Sequence, residues 1–347
     1  MAISIVVGGQ YGSEGKGKVA HYLARERGAA SAVRVGGPNS GHTVYDDAGH
    51  KFIFRHLPTA AVLPNVLCVL AAGSYIDVDR LLYEVALIGL DPGRLKVDRN
   101  AVLISEQHRV DEHLVGLRAG IGSTLTGTGA AVLDRVGRVK PIRFAHDEPA
   151  LSQFVCDTKS LLRWQLDQGA RVVIEGTQGY GLSVLHTPHY PFATSRDTTA
   201  AGFLSEVGLS PLDVDEVALV VRAFPIRVPG HSGPLDNECA WSDVTDHAGA
   251  PAPIEELTSV TQSLRRVARF SAEIVRKAVS ANHPTRVVLN HVDYLDHACK
   301  GKDATSRALS QVVEIERLIG RRIDLIGTDE FALRPRSHGR EHGEVAA

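Results

Sequence analysis

The chain is poor in cysteine, methionine and tryptophan, with four, one and two among 347 residues. Cys68, Cys156, Cys239 and Cys299 stand far apart and form no Cys-x-x-Cys pair, which argues against a disulfide framework and against a metal ribbon. An excess of charge of one sign is also missing: 38 Lys and Arg stand against 40 Asp and Glu, so no basic field points to nucleic acid and no acidic tract to disorder. No apolar run is long enough to cross a bilayer, and neither a cationic leader nor an apolar secretory core precedes residue 3. The expectation is a protein of a reducing cytoplasm with no nucleic-acid or membrane partner. Histidine is plentiful, at 16 residues, yet Pro188 between His186 and His189 breaks any helical face that would bring them onto one metal.

What is present is alternation. Short β-branched runs at 3–7, 32–35, 66–71, 171–174, 217–221, 286–290 and 323–326 are separated by longer amphipathic stretches. This pattern predicts an α/β fold, a largely parallel central sheet flanked by helices. Residues 16–27 place Val19, Tyr22 and Leu23 on one helical stripe that stops at Gly28, and 148–168 and 265–279 read as further helices. Proline and glycine concentrate at 225–253, which reads as long loops. Residues 1–334 are expected to form a single domain and 335–347 a flexible tail.

The first strand leads into Gly8-Gly9-Gln10-Tyr11-Gly12-Ser13-Glu14-Gly15-Lys16-Gly17-Lys18 and then a helix. A glycine-rich turn in that position offers backbone N–H groups and a positive helix end to an anion, with Lys16 and Lys18 beside it. It is a P-loop-like phosphate loop, not a standard one, because the spacing from Gly9 to Lys16 is one residue too long and no Ser or Thr follows the lysine.

This loop, Gly36-Gly37-Pro38-Asn39-Ser40-Gly41-His42-Thr43, Gly122-Ser123-Thr124, Asp134 to Arg138, Glu175-Gly176-Thr177-Gln178-Gly179 and Tyr190 to Ser195 follow in an order that resembles the adenylosuccinate synthetases over about residues 3–330. The resemblance implies phosphorylation of a purine 6-oxygen by a nucleoside triphosphate, then displacement of phosphate by the amino group of L-aspartate. It implies Ser13, Lys16, His42 and Gln178 as catalytic positions, with His42 the general acid, and Mg²⁺ held at Ser13 and Gly41. The triphosphate falls to Gly12, Ser13, Glu14, Gly15, Lys16, Gly17, Lys18, Gly41, His42, Thr43, Arg265, Asn290, His291, Asp293 and Gly327. The purine monophosphate falls to Ser13, Asn39, Thr124, Arg138, Gln178 and Thr194, and aspartate to Ser259, Val260, Thr261 and Arg265. Arg138 reaching a neighbouring site implies a homodimer.

Three departures shape the expectation. Ser13 stands where the family has its catalytic aspartate, and a hydroxyl is neutral and a very weak base. A guanine nucleotide gives that change a purpose: a smaller residue leaves room for the 2-amino group, and the hydroxyl accepts a hydrogen bond from it. The exchange resembles the branch of the family, found in phages that replace adenine by 2,6-diaminopurine, which joins aspartate to dGMP; for such a protein the place would be the host cytoplasm. Ser263 replaces an arginine of the aspartate loop, removing a bidentate partner. Asn290-His291-Val292-Asp293 and Gly327-Thr328-Asp329-Glu330 depart from the guanine-recognising segments, so ATP or dATP competes with GTP as donor. The expected reaction therefore joins L-aspartate to dGMP. The alternatives are a conventional enzyme using IMP and GTP, and an inactive nucleotide-binding regulator. The N1 proton, without the aspartate, is left to substrate-assisted loss, to phosphate or to Glu14.

Overall fold

The computed structural model describes residues 2–258 and 262–336, so Ser259, Val260 and Thr261 of the expected aspartate site lie outside the described residues. Ten strands form the main sheet: β1 (Ile3–Gly8), β2 (Ser31–Arg34), β3 (Leu67–Leu70), β4 (Leu95–Asp98), β5 (Val155–Cys156), β6 (Val172–Glu175), β7 (Val214–Arg222), β8 (Arg286–Asn290), β9 (Leu325–Ile326) and β10 (Arg334–Pro335). Their spatial order is β10-β9-β8-β7-β1-β6-β2-β3-β4-β5, parallel throughout except where β10 runs back along β9. The α/β expectation is met, and its chemical cause is visible in β1. Ile3, Ile5 and Val7 enter the core on one face, while Val6 enters the core on the other. A strand covered on both faces is apolar at nearly every position, which is why it reads as an almost continuous run; its one buried polar side chain, Ser4, donates to Glu216 at 2.7 Å.

Helix α1 (Lys16–Glu26) covers the second face with Val19, Ala20, Leu23 and Ala24, packed with Val6, Val173 and Val220. Full burial of side chains such as Val19 and Leu23 contributes about 1.5–3 kcal/mol each. Gly28, at φ 58°, turns the chain out of the helix at the position expected from its sequence.

Three readings are corrected. Residues 148–168 are not one helix: Pro149–Leu151 make a 3-10 turn, Val155–Cys156 join the sheet, and the helix proper, Thr158–Asp167, starts where the Asp157 carboxylate accepts from the Ser160 N–H. Residues 265–279 begin with a strand, Arg266–Ala268, and the helix spans Ala272–Asn282. The stretch 225–253 holds short strands at Ile226–Arg227 and Glu238–Cys239 and a helix at Trp241–Ala248, whose Trp241 and Val244 are buried. At the far end Pro335 belongs to β10 and Arg336 pairs with Glu316; residues 337–347 of the expected tail lie outside the described ones. Among the described residues no helix is long and apolar enough to cross a membrane.

Candidate active site

The carboxyl ends of a parallel sheet gather its loops on one side, the usual place for ligands. Here the two strands on each side of β1 end in charged or polar residues that stay buried: Arg34 ends β2, Glu175 ends β6, Arg222 ends β7 and Asn290 ends β8. Above them opens a cleft of about 1770 Å³, large enough for several small ligands at once.

The phosphate loop forms its floor. Gly12 and Gly15 take φ of 89° and 90°, and Ser13 between them takes 58°, a left-handed conformation uncommon for a residue with a side chain. Ser13 is exposed and lines the cleft. Glu14 points the other way. Its buried carboxylate accepts from the N–H groups of Gln10 at 3.1 Å and Gly12 at 2.9 Å, and from Lys16 Nζ at 2.6 Å. It therefore holds the loop from beneath and does not line the cleft, which removes it as an acceptor for the purine N1 proton. The 176–179 segment presses close: a Cβ on Gly179 would stand 2.3 Å from Glu14 Oε1 and 2.6 Å from the Gly12 nitrogen. The α1 N-terminus has no side-chain cap and no acid in its first turn, which leaves its positive end for an anion. Lys18 turns to the carbonyl of Asp329 at 2.8 Å, and burial brings its ammonium down to about 8.

His42 is the second element. The β6–β2 register sets Glu175 beside Arg34, and their side chains pair at 2.7 Å. His42 Nδ1 lies 2.5 Å from the same Glu175 oxygen, and the other oxygen accepts from the N–H and hydroxyl of Thr59, each at 2.7 Å. Burial alone would raise the Glu175 carboxyl, but the His42 hydrogen bond and the Arg34 charge outweigh it and hold the group at about 2. Burial, then the Arg34 charge, pushes His42 down to about 4. An ionised carboxylate only accepts, so Nδ1 carries the proton and Nε2 is the nitrogen left for a ligand.

Of the residues expected in the site, the cleft wall includes Gly12, Ser13, Gly15 to Lys18, Asn39, Gly41, His42, Thr43, Thr124, Gln178, Thr194, Arg265, Asn290, His291 and Asp293. Gln178 adopts φ 59° and sits beside Gly12. Gly327 lies behind the wall, against Asn290 and Lys18, and Arg138 is exposed at the end of its helix, outside the cleft. Sequence reasoning missed Glu175, Arg34 and Thr59 behind His42. A usable signal was present: the apolar strands Ala-Val-Arg34, Val-Ile-Glu175 and Val-Val-Arg222 each close on a charge.

A nucleotide-dependent enzyme is the class that such a cleft defines. The chain belongs to the adenylosuccinate synthetase family, whose sequence profile matches residues 5–148 and 142–306. It is accordingly a C–N ligase of the kind that joins aspartate to a purine nucleotide. It is 37% identical to the adenylosuccinate synthetase of Methanococcus aeolicus, with 94% of this chain and 97% of that one covered, and 35% identical to that of Archaeoglobus fulgidus, with 94% and 96% covered. Among solved structures it is similar to the succinoaminodeoxyadenylate synthetase PurZ of cyanophage S-2L, solved with dGMP and with dATP as an energy donor. That match has a TM-score of 0.79, 29% identity and 96% and 95% coverage. The fully ligated adenylosuccinate synthetase of Plasmodium falciparum shares the fold at TM-score 0.84 and 18% identity, with 97% and 100% covered.

Proposed function

We propose that this ligase joins L-aspartate to C6 of dGMP, with ATP or dATP as phosphoryl donor, giving 2-amino-2′-deoxy-N6-succino-adenylate for diaminopurine DNA synthesis. The observation that carries the reading is Ser13: a small neutral hydroxyl exposed in the cleft, whose wall also includes Lys16 and Gln178, where the family has a carboxylate. A 2-amino purine gains room and an acceptor there, and its likeness to an enzyme solved with dGMP supports the same substrate.

In this reading the phosphate loop, Lys16 and the α1 N-terminus hold the triphosphate, and Asn39, Thr124, Gln178 and Thr194 hold the purine monophosphate. The guanine 6-oxygen attacks the γ-phosphorus and the nucleoside diphosphate leaves; the aspartate nitrogen then attacks C6 and phosphate leaves with the oxygen. His42 serves as acid at Nε2. Its imidazole is neutral at pH 7, so the negative charge of the bound phosphates supplies the field that lets Nε2 hold a proton. The N1 proton leaves by substrate assistance or to phosphate.

Adenylosuccinate synthetases use Mg²⁺, and the residues present fit it in a particular way. Among the described residues no group of three or more His, Cys, Asp or Glu could hold a metal, whereas the Ser13 hydroxyl and the Gly41 carbonyl are hard oxygen donors on the cleft wall. We propose that these two oxygens would help to hold the ion, which would supply charge neutralisation for phosphoryl transfer.

Burial pushes the Asp293 carboxyl up to about 6, so at pH 7 it is mainly an ionised acceptor, which can take the 6-amino group of an adenine donor or the N–H edge of a guanine. Arg138, exposed beside the apolar Leu133, Val136 and Val139, supports a homodimer in which it reaches its neighbour's monophosphate. The conventional reading, IMP with GTP, is favoured by the named archaeal relatives. Incubation of the purified chain with aspartate, Mg²⁺ and ATP, dATP or GTP, offering dGMP or IMP in turn, separates the two by the mass of the succinylated product. Product from IMP alone overturns the proposal.

A further inference from the structure

Arg222 closes β7 and is the largest side chain with no solvent exposure. A buried guanidinium persists only where its N–H groups are answered. Its Nε donates to the Phe224 carbonyl and its Nη1 to the Ser13 carbonyl at 2.9 Å; Nη1 also reaches Glu256 Oε2 at 3.3 Å, and Nη2 pairs with Glu256 Oε1. The main chain of Arg222 is gripped as well: Gln10 Oε1 accepts its N–H at 2.9 Å and Gln10 Nε2 donates to its carbonyl at 3.1 Å. Both contacts land on the phosphate loop, and one of them falls on Ser13, the residue whose φ of 58° needs an outside hold.

Glu256 extends the connection in two directions. Its carboxylate accepts from the Tyr294 hydroxyl at 3.0 Å, one residue beyond Asp293. Its carbonyl accepts from the Arg265 N–H at 2.9 Å, across the neck of the loop that contains residues 257–264. Among its described residues the Thr258 N–H donates to the Ser263 carbonyl, the Ser263 N–H to the Thr258 hydroxyl and the Gln262 N–H to the Thr258 carbonyl, while the Arg265 carbonyl accepts from Trp241 Nε1 at 2.7 Å.

We infer that Arg222 and Glu256 form a positioning pair that sets Arg265 against position 13, tying amino-acid recognition to the conformation of the phosphate loop. The inference rests on the reading that Arg265 takes the aspartate. A buried pair without that role would leave substrate constants alone and affect stability only.

Steady-state kinetics on the full chain decide it. Glu256→Gln, with the guanidinium left in place, is expected to raise the aspartate KM about tenfold or more while the purine monophosphate KM stays within about twofold. Arg222→Lys, which cannot reach all three acceptors, is expected to do the same, and the double variant to be no worse than the poorer single one. If Glu256→Gln fails to fold, Tyr294→Phe decides, because it removes a single hydroxyl from the carboxylate; an aspartate KM raised severalfold supports the pair. Folded variants with an unchanged aspartate KM overturn it, as does an equal rise in both substrate constants. Arg265→Ala separates the two readings. If it leaves the aspartate KM unchanged, the Arg265 assignment has failed; if it raises the KM and the pair variants do not, the positioning inference alone has failed.

Discussion

The two ends of the cleft are built differently. At the phosphate end the loop at 9–15 is buried beneath by Glu14, clasped to β7 through Gln10 and tied to β8 by Asn290, whose Nδ2 donates to the Glu14 carbonyl at 2.8 Å. Beside it His42 rests on a carboxylate that has Arg34 and Thr59 as further partners. At the other end Pro251, Ala252, Pro253, Glu255, Leu257, Gln262 and Leu264 are exposed, and the Arg265 main chain is held by Glu256 on one side and Trp241 on the other. Preset geometry suits a phosphoryl transfer, where charge must be met without reorganisation. Under the proposed reading the exposed segment is where the amino acid enters.

That contrast is broken most directly at His42. His42→Ala is expected to lower kcat by about two to four orders of magnitude with either purine nucleotide, read by phosphate release, because the acid at the 6-oxygen is gone. Glu175→Gln should cost less, about ten- to a hundredfold. It should also move the pH optimum down, since removing the anion makes the His42 imidazolium harder to form. An optimum that stays in place would separate Glu175 from proton handling.

Gly179→Ala sharpens the claim that the floor is preset. A methyl 2.3 Å from Glu14 Oε1 must displace the loop, and denaturant unfolding should show a loss of about 1–3 kcal/mol together with weaker binding of both nucleotides. Acid is a gentler probe. His42, His56 and His291 are brought down by burial to about 4, 4 and 3, so the unfolded chain binds more protons than the folded one. The stability they contribute is complete above about 6.5, their unfolded value, and is lost as pH falls through 4 to 3. Glu175 and Glu256, at about 2, add loss from about 4.5 downward, while the raised carboxyls of Asp293 and Glu206 act in the opposite sense. Thermal midpoints between pH 7 and pH 4 should fall accordingly. At the small end, Leu212→Ala, an exposed change away from the cleft, should leave kcat/KM within about twofold.

The sheet was legible because strands covered on both faces are mostly apolar, a signal strong in β1, β6 and β7 despite a buried Ser4 and the charges that close β6 and β7. Local chemistry was legible too: Gly12, Gly15 and Lys16 lie within one loop, and Ser13 stood out as a lone exception inside it. The helix boundaries around Pro149, Asp157 and Arg266 were misread because amphipathic spacing continues through residues whose conformation is set by capping and strand pairing. The groups behind the site were not legible because their partners are remote in sequence. Glu175 meets His42 and Arg34 only through the parallel pairing of β6 with β2, and Arg222 meets Ser13 and Glu256 only once β7 lies beside β1.

Ser13 carries the substrate reading, and the most direct test compares kcat/KM for dGMP and IMP in the wild-type chain and in Ser13→Asp, with aspartate, Mg²⁺ and ATP held constant. The expected result is a preference for dGMP of about tenfold or more in the wild type that falls or reverses in the variant. A wild type that turns over IMP faster than dGMP, or a ratio unmoved by the substitution, would contradict it.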